Sequence, residues 1–224
     1  MMFQDRSDAG RQLAAKLERF KDAHPVVLAL PRGGVPVGYE IAEKLAAPLD
    51  VVLVRKIGAP GFEELAVGAV AEGTPAEKVL ESETIAQFGI PQDYLDRETA
   101  RQVQEIERRR AVYRGGRPSA EIAGATAIVV DDGIATGATM RAALRAVRRR
   151  GPAKLIVAVP VAPPGTLQSL RAEADELVCL DQPEYFAAIS PFYAEFHQLR
   201  DEEVTDLLDR AAKRWHRQDQ GQHP

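Results

Sequence analysis

Two adjacent carboxylates followed by a glycine- and threonine-rich turn form the segment of this chain best suited to chemistry. The segment VVDDGIATGAT spans 129–139, where an apolar run ends at Asp131 and Asp132 and a short loop then leads into a helix. The first N–H groups of a helix lack partners within it and attract anions, and glycine lets a phosphate approach the backbone closely. The loop therefore predicts a phosphate-binding turn.

The two carboxylates need a different ligand, because they would repel a phosphate. We interpret them as groups that bind the hydroxyls of a sugar attached to that phosphate, or a bound cation. A polar, capped turn is the ordinary alternative. A Walker P-loop does not fit, since no lysine follows Gly137, and the dinucleotide-binding pattern GxGxxG is absent. A receiver domain also places acids at a strand end, but it gives the T-G-A-T helix entry no role.

A second candidate segment, LALPRGGVPVG at 28–38, places an arginine and two glycines directly after an apolar run. The planar guanidinium of Arg32 suits bidentate binding of phosphate oxygens. Gly33 and Gly34 permit unusual backbone angles. The segment predicts a second anion-binding turn, and a plain strand–helix turn is the alternative.

A third candidate segment, VRKIGAPGFEE at 54–64, leaves an apolar run with two cations and enters a loop that contains glycine and proline. Lys56 is the candidate for contact with an anionic ligand, and Arg55 is the weaker choice. An ordinary solvated lysine is the alternative.

Short apolar runs alternate with amphipathic helices along most of the chain. Runs typical of buried strands occur at 26–30, 50–56, 65–71, 127–132, 154–161 and 175–180, and amphipathic helices are predicted at 7–22, 34–47 and 138–150. This alternation predicts an α/β fold with a central, mostly parallel twisted sheet flanked by helices. Such sheets bind ligands beyond the carboxyl ends of their strands, where the candidate segments lie.

Two regions interrupt this alternation. Residues 75–118 show no clear strand but contain a long polar helix at about 92–113, which we interpret as a helical insertion. Residues 181–200 hold much of the aromatic content and are predicted to form a small hood. We expect one domain over 1–216 and a disordered tail over 217–224.

Composition limits the functional classes. The 224 residues carry a net charge of −4, which argues against a protein that coats nucleic acid or an anionic membrane. Arginine clusters at 108–110 and 148–150 are interpreted as solvated helix surface. The single cysteine, Cys179, and four scattered histidines exclude a disulfide framework and a cysteine zinc cluster. Without a signal peptide or a membrane-spanning run, we expect a cytoplasmic protein.

The segment 129–139 resembles the phosphoribosyl pyrophosphate signature of type I phosphoribosyltransferases: an apolar run, two acids, then x-x-x-T-G-x-T. The resemblance implies that family's fold, with a hood. It also implies that Asp131 and Asp132 contact the ribose hydroxyls. The loop that would hold the 5′-phosphate comprises Ala135, Thr136, Gly137, Ala138 and Thr139.

The other two segments are similar to further loops of the same family. The turn at 28–38 resembles the pyrophosphate loop, which often contains a non-proline cis peptide, and implies pyrophosphate binding by Arg32, Gly33 and Gly34. Lys56 would lie at the loop that closes over the reaction centre. The resemblance thus implies Mg²⁺ as cofactor and a set of catalytic residues. That set is Arg32, Lys56, Asp131 and Asp132. The carboxylates of Asp131 and Asp132 would also bind the metal ion.

The acceptor is less clearly indicated. The segment PEYFAA at 183–188 resembles the hood of 6-oxopurine enzymes, in which Phe186 would stack on the base. Those enzymes carry an aspartate at the position of Ala135. Adenine-type enzymes resemble this chain in lacking that aspartate, so the acceptor stays open. We expect a homodimer that transfers phosphoribose to a nucleobase, as in purine salvage, without a nucleic-acid or membrane partner. A non-catalytic sensor of phosphoribosyl pyrophosphate is the alternative; a hydrolase lacks a positioned nucleophile.

Overall fold

Two β-sheets of different kinds organise the described part of the chain, which comprises residues 2–73 and 75–221 of a computed structural model. The strands are β1 Pro25–Ala29, β2 Leu49–Val51, β3 Val54–Ala59, β4 Phe62–Ala71, β5 Glu77–Leu80, β6 Thr126–Val130, β7 Lys154–Val161 and β8 Glu176–Asp181. The helices are α1 Arg6–Leu17, α2 Gly34–Leu45, α3 Ser82–Gln87, α4 Gln92–Arg114, α5 Ala138–Arg149, α6 Pro164–Leu170 and α7 Asp201–Gly221.

The main sheet is parallel throughout, in the order β2-β1-β6-β7-β8. Alternate residues of its central strands enter two separate apolar clusters. Ile128 packs with α1 and α2 on one face, and Val129 packs with α5 and α6 on the other. Because both faces are covered, β6 is buried along its whole length. The predicted central parallel sheet flanked by helices is confirmed.

The second sheet is antiparallel, in the order β3-β4-β5. The predicted single strand at 50–56 is therefore wrong, since it divides between β2 of the main sheet and β3 of the second. The run at 65–71 is a strand, but it belongs to the antiparallel sheet. The predicted loop after Lys56 is instead a hairpin that turns at Pro60 and Gly61, where Gly61 takes a φ of 74°.

The region 75–118 contains a strand as well as helices. β5 pairs with β4 through a four-residue run, too short for a period of two to be recognised in the sequence. The long helix α4 packs one side, including Leu95 and Ile106, against the cluster that contains Leu53 and Ile57. The insertion thus continues the second sheet.

The last helix, α7, runs to Gly221 and so includes part of the segment predicted to be a disordered tail from 217. Residues 217–221 include one arginine and two glutamines, which favour helix. Residues 222–224 lie outside the described residues. Within the described part of the chain, no helix combines the length and apolar character that crossing a membrane requires.

A buried arginine joins the two sheets. The side chain of Arg114, 5% exposed, donates Nε to Asp50 Oδ1 at 3.0 Å and both terminal nitrogens to Glu72 at 2.7 and 2.9 Å. It also donates to the carbonyl of Val51 at 2.8 Å. Asp50 lies on β2 and Glu72 directly follows β4, so this arginine ties the insertion to the main sheet.

Replacing Arg114 with methionine is expected to destabilise the fold, because Asp50 and Glu72 would stay buried without their cation. Such losses are about 3–5 kcal/mol in unfolding free energy, measurable by urea denaturation at pH 7. Arg148→Met is the control, since Arg148 and Asp175 are each more than 40% exposed and should contribute about 1 kcal/mol or less. Equal losses in the two variants would contradict this assignment.

Candidate functional site

The loops after β1 and β6 lie against each other. These strands are neighbours in parallel register, with Ala29 opposite Val130, so their carboxyl ends open at one edge of the sheet. A Cβ added to Gly34 would lie 2.6 Å from the carbonyl oxygen of Val130, and one added to Gly33 would lie 2.0 Å from Oδ2 of Asp132. The turn 31–34 therefore packs directly on the acidic pair.

The backbone of this turn differs from the expectation in one respect. Gly33 has helical angles (φ −61°, ψ −35°) and Gly34 begins α2, so neither uses the unusual backbone angles that glycine permits. The two glycines are needed for close approach instead, because a side chain at either position would overlap the neighbouring loop. The peptide bond between Pro31 and Arg32 is cis, as the family resemblance implies.

Asp132 is held by an ion pair that the sequence did not reveal. Nε of Arg6 lies 2.7 Å from Oδ2 of Asp132, and the two side chains are 9% and 11% exposed. The sequence places Asp132 at the open rim, but the structure buries it against Gly33 and Arg6. One signal was present: Arg6 opens α1, where a cation opposes the helix dipole and so needs an acidic partner.

The rest of the Arg6 guanidinium contacts the hood. Nη1 donates to the carbonyl of His197 at 3.0 Å, and the guanidinium carbon lies 3.8 Å from the ring centroid of Phe196. Arg6 thus links Asp132 to the segment that leads into α7. Stacking of this kind on an aromatic face stabilises a partly desolvated cation.

The N-terminal segment and the hood are also joined through their backbones. Phe3, fully buried, donates its N–H to the carbonyl of Phe192 and accepts the N–H of Ala194, both at 2.8 Å. The hydroxyl of Tyr193 donates to the carbonyl of Asp132 at 2.6 Å. The hood, predicted at 181–200, is therefore fixed over the acidic pair from two sides.

Asp131 is half-buried and accepts the N–H of Asp132 at 2.9 Å. Burial, together with the neighbouring charge of Asp132, raises the pKa of Asp131 well above its usual range. Burial also raises the pKa of Asp132, although Arg6 opposes this. Two adjacent carboxylates with one guanidinium favour a ligand that supplies hydroxyl donors or a cation.

The predicted phosphate loop ends at a helix N-terminus. Gly137 takes a φ of 84°, in the left-handed region, and α5 begins at the next residue, Ala138. Ala135 and Thr136 are exposed, Thr139 is half-buried, and the Ala135 carbonyl is held by the Thr166 hydroxyl at 2.7 Å. The first N–H groups of α5, which have no partner within the helix, therefore follow this loop directly.

Arg32 lies close to this arrangement, whereas Lys56 is not linked to it by any contact among the described residues. Nη1 of Arg32 is 4.0 Å from Oδ1 of Asp201. Arg32, Arg6 and Phe196 line an open cavity of about 340 Å³. Lys56 is exposed on β3 in the second sheet.

Phe186, the predicted base-stacking residue, already has an aromatic partner. Its ring stacks on that of Phe192, with centroids 5.4 Å apart and an interplanar angle of 16°. It is half-buried, so part of its surface stays accessible to a ligand. Among the described residues, no three His, Cys, Asp or Glu side chains converge as a metal site.

The family model described as "Phosphoribosyl transferase domain" matches residues 4–197 of this chain. The chain belongs to the phosphoribosyl transferase family. It is also similar to the crystal structure of TT1426 from Thermus thermophilus, with 47% identity, a TM-score of 0.78 and coverage of 93% of this chain and 98% of that chain. The family and fold predicted from the segment 129–139 are thereby confirmed.

Two curated relatives are longer than this phosphoribosyl transferase domain. Proteins of two Mycobacterium tuberculosis strains, each named "Putative phosphoribosyl transferase", are 43% identical over 210 residues, or 94% of this chain. The chain spans 47% of the length of these relatives. The similarity therefore concerns about half of each relative.

Asp131→Asn is expected to stabilise the protein at neutral pH. A carboxyl with a raised pKa in the folded state costs stability as pH rises above its unfolded pKa of about 3.9, because the folded state then holds the proton more tightly. Asparagine keeps the acceptor for the Asp132 N–H and removes the charge. We expect a gain of roughly 0.5–2 kcal/mol in urea denaturation at pH 7, shrinking towards pH 4.

The matched control is Asp175→Asn, for which we expect the opposite change in stability at pH 7. Arg148 lowers the pKa of Asp175 through a hydrogen bond, so Asp175 stabilises the fold above its unfolded pKa. Asp175→Asn should therefore lower stability at pH 7. A loss of stability in Asp131→Asn as well would show that burial does not dominate at the acidic pair.

Proposed function

We propose that this chain transfers 5-phosphoribose from phosphoribosyl pyrophosphate to a nitrogen acceptor, which we take to be a nucleobase, and releases pyrophosphate. The observation that carries the proposal is the packing of the turn 31–34 on the acidic pair, with Gly33 against the Asp132 carboxylate. This packing brings a candidate pyrophosphate loop and a candidate phosphoribose loop within reach of one donor molecule. Membership of the phosphoribosyl transferase family supports the same reaction class.

The donor would bind with its 5′-phosphate at the start of α5, against Thr136, Gly137 and Thr139. Asp131, half-buried beside that loop, would accept hydrogen bonds from the ribose hydroxyls. Asp132 would contribute negative charge next to the ribose while Arg6 fixes its position. Cleavage of the anomeric bond gives the ribose cationic character, which nearby carboxylates stabilise.

Arg32 would stabilise the departing pyrophosphate. Its guanidinium lies beside Gly33 in an open cavity and has a carboxylate, Asp201, at a distance of 4.0 Å. That separation is too long for a strong hydrogen bond, so Arg32 remains available to phosphate oxygens. Lys56 stays a proposed second cation, which would reach the site only if the β3–β4 hairpin approached it.

Mg²⁺ is the proposed cofactor, and the donor atoms present fit it. Carboxylate oxygens are its preferred protein ligands, and Asp131 and Asp132 carry raised pKa values that a divalent cation would lower. These two residues would hold the ion together with substrate phosphates and water. When bound, it would neutralise charge that develops on pyrophosphate.

The acceptor would bind under the hood, near Phe186. Its half-buried ring supports an aromatic acceptor, although Phe192 already covers part of it. Ala135 offers no carboxylate to an acceptor proton, which argues for a base that does not need one. The homodimer and the cytoplasmic location stay predictions.

A regulator that binds phosphoribosyl pyrophosphate without turnover is the second candidate. The ion pair between Arg6 and Asp132 favours it, because one of the two carboxylates that the family uses for ribose is already satisfied. A regulator needs only the differential binding of a ligand, whereas an enzyme also needs an acceptor site.

The deciding experiment incubates the full chain with phosphoribosyl pyrophosphate, Mg²⁺ and a panel of purine and pyrimidine bases, and measures pyrophosphate release. Release that depends on one base supports the transferase. Donor binding in calorimetry without release for any base supports the regulator. Absence of donor binding would overturn the assignment of the site.

Gly33→Ala is expected to weaken donor binding at least tenfold, or about 1.4 kcal/mol, because its Cβ would displace either Asp132 or the turn. Isothermal titration with the donor and Mg²⁺ measures this. Gly165→Ala is the matched control, since a Cβ there meets no atom within 4 Å. Donor affinity unchanged from the native chain in Gly33→Ala would remove the turn from the site.

A further inference from the structure

A cavity of about 590 Å³ lies at the amino ends of β1 and β2. Pro25 begins β1 and Leu49 begins β2, and both line the cavity, whereas the candidate site lies beyond the carboxyl ends of the main sheet. The volume falls within the ~300–1,000 Å³ typical of small-molecule sites. A ligand in this cavity would not compete with the donor.

The walls of the cavity are mostly apolar. The apolar side comes from helix α7 and from chain turns, with Leu208, Trp215, Pro48 and Pro118 among the lining residues. Trp215 is half-buried and Leu208 is 4% exposed. The flat indole ring of Trp215 favours a flat, apolar ligand body.

The polar groups of the floor are already satisfied. Oδ1 of Asp50 accepts Nε of Arg114, and Oδ2 accepts the N–H of Ala120 at 2.9 Å. Arg114 directs its remaining donors to Glu72 and to the carbonyl of Val51. The floor therefore does not select a polar ligand.

One cation, the ammonium of Lys21, lies at the rim, where the Glu121 carboxylate also lines the cavity and accepts the N–H groups of Ile122 and Ala123, each at 3.0 Å. Lys21 and His24 line the cavity and are exposed. Among the side chains that the structure describes, neither has an ion pair or a hydrogen bond. An apolar cavity with one cationic rim suits a ligand that is flat and apolar at one end and anionic at the other.

One wall of the cavity reaches the donor loop. Tyr113 lines the cavity, and its hydroxyl donates to Oδ1 of Asp201 at 2.5 Å. Burial raises the pKa of Tyr113 to about 12, so this hydroxyl keeps its proton near neutral pH. Asp201 in turn lies 4.0 Å from Arg32. A ligand that moved the tyrosine ring would alter the partner of the candidate pyrophosphate-binding arginine.

We propose that this cavity is a second ligand site, which binds a small aromatic carboxylate with its ring against Trp215 and its carboxylate at Lys21 and His24. We further infer that the bound ligand changes donor affinity through Tyr113, Asp201 and Arg32. The second statement rests on the proposed function, and the first does not.

Binding is tested by fluorescence, because Trp215 is the only tryptophan among the 224 residues. The full chain is titrated with 4-methylbenzoate and, separately, with its neutral amide, 4-methylbenzamide. We expect the carboxylate to change the emission with a dissociation constant at least tenfold lower than that of the amide. Lys21→Gln, an exposed change that should not affect folding, is expected to remove most of this difference.

Three results would overturn the site. No emission change with either compound excludes an aromatic ligand, and equal affinities exclude the charge-selective rim. Emission that varies with protein concentration alone, together with a larger mass in light scattering, would instead assign the cavity to contact with a second copy of the chain.

Coupling is tested by measuring the donor dissociation constant with and without saturating 4-methylbenzoate. We expect a change of about fivefold or more, and by linkage an equal change in carboxylate affinity when donor is present. Tyr113→Phe removes the hydroxyl that reaches Asp201, so it should retain carboxylate binding and lose the change. An unchanged donor constant in the native chain would overturn the coupling. Failure of the donor to bind at all would count against the proposed function and leave the fluorescence result standing.

Discussion

The ion pair between Arg6 and Asp132 is the constraint on which the rest of the site depends. A buried carboxylate needs a partner, and the only cation at hydrogen-bonding distance among the described residues comes from the first helix of the chain. Meeting that need brings α1, the acidic pair and the end of the hood, at Phe196 and His197, to one point. The hood is then fixed by its own bonds to the N-terminal segment, so the roof over the sheet edge is formed by two distant parts of the sequence.

The second constraint is the close approach of two loops, which is possible only where the residues in contact lack side chains. The turn 31–34 touches the acidic pair because Gly33 and Gly34 carry no Cβ, and the candidate phosphate loop turns at Gly137 because that position has a positive φ. These are two different uses of glycine within one site. At Gly33 and Gly34, the neighbouring loop leaves no space for a side chain. At Gly137, the positive φ is an angle that other residues rarely adopt.

Much of the fold and part of the site could be predicted from the sequence. The parallel sheet followed from β-branched runs buried on both faces, and the loops at 31–34 and 131–139 followed from their glycines, acids and threonines. The run at 50–56 was predicted as one strand because most of its residues are apolar or β-branched. The sequence shows no break where the chain passes from β2 of the main sheet to β3 of the second. The position of Arg6 at the start of α1 indicates that it needs an acidic partner, but the sequence does not identify Asp132, 126 residues away, as that partner.

Arg6 is separated along the sequence from its partners Asp132 and His197 by 126 and 191 residues, which delays these contacts during synthesis of the chain. Arg6 bonds to His197 across 191 residues, so those residues must be synthesised after Arg6 before the roof can close. At translation rates of ~5–20 residues per second, that wait lasts about 10–40 s. The parallel sheet up to β7 can assemble during this time, while the helix that carries Arg6 can settle on α2 but cannot complete the site. The Arg6 contacts at the candidate site can therefore form only after residue 197 has been synthesised.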